Sequence, residues 1–254
     1  MDLPTTPSFR LDGRRALVTG AGRGLGPAMA VALAEAGAEV VLTARTASEI
    51  EAAAEAIRAR GGAAEAATVD VTDVVAVEAL VADRGPFRIL VNNAGLNRPA
   101  SLVDVTEEDY DLVAGTNVRA ALFVAKAVAK GLIEAGLTGS IIHTGSQMGH
   151  VGGPRRSVYC ATKHAIEGLS KAMAWELGPH GIRVNTICPT FIETPMTKPF
   201  LADEDFMAQV MSKIALGRIG HVEDVMGAVV FLASDASALV TGSALMVDGG
   251  WTAA

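Results

Sequence analysis

Tyr159 and Lys163 stand four residues apart, so on a helix a phenol and an ammonium share one face. An ammonium beside a phenol favours the phenolate, which suits the pair to giving and taking a proton. Ser146 lies thirteen residues earlier, at the end of an apolar run, where its hydroxyl could hold a substrate carbonyl or alcohol next to the phenol. The chain has only two tyrosines, Tyr110 and Tyr159, so the choice of acid/base is narrow. Ordinary readings compete: Ser146 as a strand-end cap, and Tyr159 as one residue of an amphipathic helix.

A second group of residues could hold an anion. Gly20, Gly22, Arg23, Gly24, Leu25 and Gly26 follow the first apolar run and open a helical pattern. Glycines there let backbone N–H groups approach a pyrophosphate, with the helix N-terminus adding a favourable dipole. At the end of the second run, where an acidic side chain would bind both ribose hydroxyls, the chain has Ala44 followed by Arg45, with Thr43 and Thr46 nearby. Such a set fits a 2′-phosphate, so NADP is favoured and NAD stays open; the competing reading makes Arg45 a solvated loop charge. Asp70 and Val71, after the third run, are candidates for the adenine, and an acidic helix cap explains Asp70 equally well.

These residues need elements to place them. Apolar runs at Arg15–Thr19, 39–43, 64–69, 88–91, 140–144, 182–187 and Ala244–Val247 read as seven buried strands. Helical patterns at 47–60, 73–84, 106–136, Ser157–Leu177 and 222–232, with one opening near Pro27 and closing at Gly37, alternate with them. The expected fold is α/β: a single-domain, Rossmann-like, doubly wound, seven-stranded parallel sheet with helices on both faces. All of 1–254 reads as one dinucleotide-binding catalytic domain, with a loose arm at 1–10 and a mobile substrate lid at 189–216, where three prolines interrupt the alternation.

Composition excludes several other classes. A net charge of -7 gives no basic field for nucleic acid. The longest uncharged stretch, 135–154, carries six glycines and is no membrane span, and residues 1–10 have no apolar core of the kind a signal peptide needs. Two cysteines, Cys160 and Cys188, build no disulfide framework and point to a cytoplasmic setting. The five histidines show no ligand-like spacing, so no metal is expected. Arg155 and Arg156 read either as a clamp for a substrate carboxylate or phosphate, or as a solvated or subunit-interface pair.

With Asn92-Asn93-Ala94-Gly95, Asn117 and the stretch 189–194, the motifs stand in the order and spacing of the short-chain dehydrogenase/reductase superfamily. The chain resembles that family from Leu11 to Trp251, and within it the 3-oxoacyl-acyl-carrier-protein reductases and gluconate-type sugar dehydrogenases. The resemblance implies a nicotinamide cofactor and a homotetramer. It makes Tyr159 the general acid/base and Lys163 its partner, both also contacting the cofactor, Lys163 through the nicotinamide ribose. Ser146 positions the substrate oxygen, and Asn117 holds a water in a proton relay. Asn93, Ala94 and Gly95 contact the cofactor, Asn92 and Gly95 wall the adenosine ribose, and Pro189, Ile192 and Thr194 meet the nicotinamide end. Thr190 stands where the family commonly has glycine, and its side chain either narrows the pocket or contacts substrate. The expected activity is an NAD(P)-dependent interconversion of a secondary alcohol and a ketone, the substrate being a 3-oxoacyl thioester, a sugar or sugar acid, or a cyclic ketone. A non-enzymatic dinucleotide-binding redox sensor is the alternative, and a dehydratase or epimerase a third reading.

Overall fold

The computed structural model describes residues 1–253. Seven strands form one sheet: β1 Arg15–Thr19, β2 Glu39–Ala44, β3 Ala63–Thr68, β4 Ile89–Asn92, β5 Gly139–Thr144, β6 Ile182–Pro189 and β7 Ala244–Val247. Their order is β3-β2-β1-β4-β5-β6-β7, and every neighbouring pair is parallel. The doubly wound α/β reading of the sequence holds. Strand order reverses between β1 and β4, and a crevice for ligands opens at such a switch point, outside the carboxyl ends of the strands.

Alternation along the strands sends side chains to two separate cores. Ala16, Val18, Val40, Leu42, Val91 and Ile142 pack under α1 (Leu25–Glu35), α2 (Ala47–Ala59) and α9 (Met226–Ala233). Leu17, Val41, Leu90, Ile141 and Val184 pack on the other face, under α3 (Val74–Arg84), α5 (Ala121–Glu134) and α6 (Ser157–Leu177). Full burial of each Leu, Ile or Val contributes roughly 1.5–3 kcal/mol. With both faces covered, the strands read as continuous apolar runs in the sequence.

Glu107–Glu134 is one continuous helix, made of α4 (Glu107–Ala114), a π-helical stretch (Gly115–Ala120) and α5. By length and composition it is apolar enough to cross a membrane, but Val124, Ala125, Val128 and Leu132 are buried against the sheet, which accounts for its hydropathy. Periodicity predicts this helix but not the π-helical turn, which sets Asn117.

Residues 189–216 depart from the sequence reading. Pro189 ends β6 instead of starting a lid, and the segment folds into α7 (Lys198–Leu201) and α8 (Glu204–Met211). Phe191, Val210 and Ile214 are buried with Met148 in a third cluster, joined by Tyr159, Phe206 and Trp251. The segment is therefore anchored by its own small core. The arm 1–10 is exposed and without regular structure, but its end is tied down, since Arg10 donates to the Glu35 carbonyl at 3.3 Å and Phe9 packs near Phe231.

Candidate active site

The glycine loop between β1 and α1 is locked to the turn after β4. Asn93 Nδ2 donates to the carbonyls of Thr19 (3.0 Å) and Gly20 (3.1 Å). The buried Thr19 hydroxyl accepts from the N–H groups of Asn93 and Ala94, each at 3.0 Å. Ala21 N–H donates to the Thr43 carbonyl at 3.0 Å, tying in the end of β2.

The four glycines do different things. A Cβ on Gly20 would stand 2.8 Å from the Ala94 Cα, and one on Gly26 would stand 2.3 Å from the Gly20 carbonyl, so both permit close backbone packing. Gly24 is the N-cap of α1 at φ 71, where a Cβ would meet only Thr194, at 3.8 Å. Gly22 faces the Glu49 side chain. Because Gly24 offers no side-chain cap, the first N–H groups of α1 are left for an anion, whereas α3, α4 and α8 are capped by Asp73, Thr106 and Asp203. The residues present thus fit a pyrophosphate, with Arg23 exposed and Leu25 half-buried beside it.

Arg45 is exposed at the end of β2. Asp70 is held below the ordinary carboxylate range first by the Thr72 N–H, then by the Thr72 hydroxyl, with a further contribution from the charge of Arg45. Arg45 and Asp70 therefore face one region at the ends of β2 and β3. Asp70 is not the helix cap; Asp73 fills that role, accepting from Ala76 N–H at 3.0 Å. Thr43 does not join the Arg45 set, since it is 1% exposed and its hydroxyl has no partner. Val71 is buried in the core, so only its main chain can meet a cofactor.

Asn92 is turned away from the crevice: its Nδ2 donates to the Ala121 carbonyl at 2.7 Å. Gly95 lies over Asn117, whose Oδ1 would be 3.2 Å from a Cβ there. Asn117 accepts from Leu96 N–H (2.9 Å) and donates to the Leu96 carbonyl (2.9 Å) and the Thr162 hydroxyl (3.1 Å). Its side chain is fully engaged by these partners, and it stands in the π-helical stretch Gly115–Ala120.

Lys163 is 7% exposed and donates to the Thr144 carbonyl at 2.7 Å, with its Nζ 5.5 Å from the Tyr159 ring centroid. The strand-to-turn connection after β5 thus fixes the ammonium beside the phenol. Ser146 does cap a short 3₁₀ turn, accepting from Met148 N–H at 3.1 Å, and it donates to Gln147 Oε1 at 2.8 Å. Sequence reasoning passed over Gln147, a carboxamide only 3% exposed; its one signal was a polar residue next to Ser146. Thr19 and Thr162 were also missed as organisers.

Thr194 faces Gly24 across the crevice and hydrogen-bonds through its N–H to Thr197 Oγ1 at 3.0 Å. Ile192 is buried and bridges to Gly220, and Pro189 pairs with Val247. The Thr190 hydroxyl is buried without a partner. The structure gathers one group that looked scattered in the sequence: His150, Glu167 and Cys188, whose ligand atoms lie within 4.8 Å of one another. Burial, then the Glu167 charge, push the Cys188 thiol up to about 12, and it donates to Glu167 at 3.3 Å.

A family model described as enoyl-(acyl carrier protein) reductase matches residues 20–252. The D-erythrulose reductase of Gallus gallus is 44% identical, over 96% of this chain and 98% of its own length. The gluconate 5-dehydrogenase of Gluconobacter oxydans is 43% identical, over 96% of each chain. The crystal structure of a gluconate 5-dehydrogenase from Burkholderia cenocepacia in complex with NADP and tartrate superposes with a TM-score of 0.93 at 39% identity, covering 97% of this chain and 98% of that one.

Proposed function

The chain belongs to the short-chain dehydrogenase/reductase family, and from that premise we propose that it interconverts a secondary alcohol and a ketone on a polyhydroxylated, sugar-type substrate, with NADP preferred over NAD. The observation that carries the reading is the buried Lys163 ammonium, held by the Thr144 carbonyl at 2.7 Å beside the ring of Tyr159, with the Thr144 hydroxyl in turn bonded to Asn93, which holds the glycine loop. A bound nicotinamide supplies or accepts the hydride.

In the reductive direction the Tyr159 hydroxyl gives its proton to the carbonyl oxygen, and in oxidation the phenolate takes one from the alcohol. Lys163 stabilises the negative charge on the phenolate. Ser146 holds the substrate oxygen, which takes over the hydrogen bond now accepted by Gln147. The Asn117 carbonyl holds a water that returns protons to Lys163, while the Asn117 side chain keeps the helix in register with Leu96 and Thr162. Arg45 is the contact for a 2′-phosphate. The relatives' activities favour sugars over 3-oxoacyl thioesters and cyclic ketones, and the intact Ser146, Tyr159 and Lys163 give no support to a non-enzymatic sensor.

We propose further that residues 1–254 work as one catalytic domain and assemble as a cytoplasmic homotetramer. Trp175 on α6 is 87% exposed, Leu239 before β7 is 98% exposed, and β7 leaves an open sheet edge; exposed apolar groups of this size mark contact surfaces.

A panel of ketoses, oxo acids and their alcohols, assayed by nicotinamide absorbance with NADPH/NADP and NADH/NAD at equal concentration, tests the reading. Turnover of at least one polyhydroxylated pair, faster with the phosphorylated cofactor, is expected. NADPH binding without turnover anywhere in the panel contradicts it.

A further inference from the structure

Arg155 and Arg156 adjoin in sequence but part company in the fold. Arg155 is exposed, with φ 57, whereas Arg156 is 8% exposed at the N-cap of α6. Its burial comes from this chain's own segments. The guanidinium carbon lies 5.0 Å from the centroid of the Phe200 ring on α7, and Gly153 approaches its stem. A subunit-interface role, one of the two sequence-based expectations, does not explain a residue already covered within one chain.

The guanidinium has no hydrogen-bond or carboxylate partner among the described residues. Burying an arginine is costly unless its five N–H donors are met. The ring of Phe200 offsets part of that cost, but a ring face accepts no directed hydrogen bond from the fork. Burial lowers the Arg156 pKa from its ordinary value, and as the N-cap residue of α6 this arginine stands three residues before Tyr159, which lies in the first turn of that helix. The first turn of α6 also has no side-chain cap, which adds the positive end of a 21-residue helix to the same place. Gly153 lies between the Arg156 stem and Met148, which belongs to the apolar cluster of Phe191, Val210 and Ile214.

We infer that Arg156 is the carboxylate subsite of the substrate pocket, and that the preferred substrates are polyhydroxylated acids carrying a carboxylate on the carbon chain that presents its oxygen to Tyr159. This rests on the oxidoreductase reading above and narrows its substrate class. A carboxylate matches the planar fork with two parallel hydrogen bonds. One guanidinium balances one carboxylate; a phosphate dianion calls for a second cation, and Arg155 faces solvent. Phe200, in the 189–216 segment, then covers the bound acid end and couples substrate charge to the position of α7.

The test measures binding apart from turnover. The protein, saturated with NADP, is titrated calorimetrically with D-gluconate and with D-glucitol, the same six-carbon chain bearing an alcohol in place of the carboxylate, and with inorganic phosphate. Gluconate is expected to bind at least 10-fold more tightly than glucitol or phosphate. Arg156→Met, which keeps apolar contact with Phe200, should weaken gluconate by about 30-fold or more and glucitol by less than threefold, with NADPH affinity and melting temperature retained; Arg156→Lys should recover part of the loss. In turnover the Met variant should raise KM for the acid with kcat little changed. Equal binding of gluconate and glucitol by the unaltered protein, equal loss of both in Arg156→Met, or tighter phosphate binding overturns the carboxylate assignment. Discrimination that persists while the substrate panel shows no turnover instead retires the oxidoreductase reading and leaves an acid-binding site.

Discussion

In the cofactor half, from β1 to Gly95, polar groups are engaged with one another. Thr19 takes two backbone N–H groups, Asn93 bridges two carbonyls of the glycine loop, and Gly20 and Gly26 let the segments close to contact. In the substrate half, from Ser146 through α8, polar groups are left without partners. Arg156 is buried and unpaired, the Thr190 hydroxyl is buried without a partner, and the apolar floor is aromatic, with Phe191 5.5 Å from Phe206 and 5.7 Å from Trp251. The first half is a close-packed cradle that offers the N–H groups of one helix end, although the buried Thr43 hydroxyl beside it also lacks a partner. The second half keeps its donors open for what enters, and Lys163, bonded back to β5, stands at the junction.

Several variants break or sharpen that contrast. The largest effect on cofactor binding is expected for Gly26→Ala, whose methyl would meet the Gly20 carbonyl with backbone on both sides. Displacing the loop should cost about 1–3 kcal/mol of stability and weaken NADPH binding by about 100-fold, read by denaturant melts and fluorescence titration. Retained affinity would show that the loop is not a close-packed cradle.

His143 sits under the junction, 1% exposed, with neither ring nitrogen paired. Burial, and then the nearby charge of Lys163, push it down to about 4. The unfolded chain protonates this group near pH 6.5, so stability is full above that pH and is lost as the pH falls toward about 4, by roughly 3 kcal/mol. Urea midpoints should decline over that window, and His143→Leu should remove most of the decline; an unchanged slope would relocate its cause.

The smallest effect is expected at Arg45, which is exposed and screened by solvent. Arg45→Ala should raise KM for NADPH by about 10-fold, with little change for NADH. A shift of both cofactors together would remove Arg45 from the 2′-phosphate contact.

The same contrast governs how far the sequence could be read. Buried parallel strands are unbroken apolar runs, and the phosphate loop is written in glycines, so the seven strands and the cradle follow from periodicity and spacing, whereas the order of the strands does not. Tyr159 and Lys163 are legible because helical geometry alone brings residues four apart together. The helices within 189–216 left no pattern because α7 is only four residues long and α8 eight, too short to show a period among prolines. The π-helical turn at Asn117, the Ser146 to Gln147 bond and the separation of Arg155 from Arg156 depend on tertiary packing and left no local pattern. Asn92 illustrates the limit from the other side, since its motif suggests the crevice while strand alternation turns it to the face covered by α5, toward Ala121.

The central claim is that the cradle binds cofactor independently of the group that moves the proton. Tyr159→Phe tests it most directly, with NADPH affinity and ketone reduction measured on the same preparation. Affinity within about threefold of the unaltered protein and a turnover reduced by about 100- to 10,000-fold are expected. Reduction that continues undiminished in this variant would contradict the assignment of Tyr159.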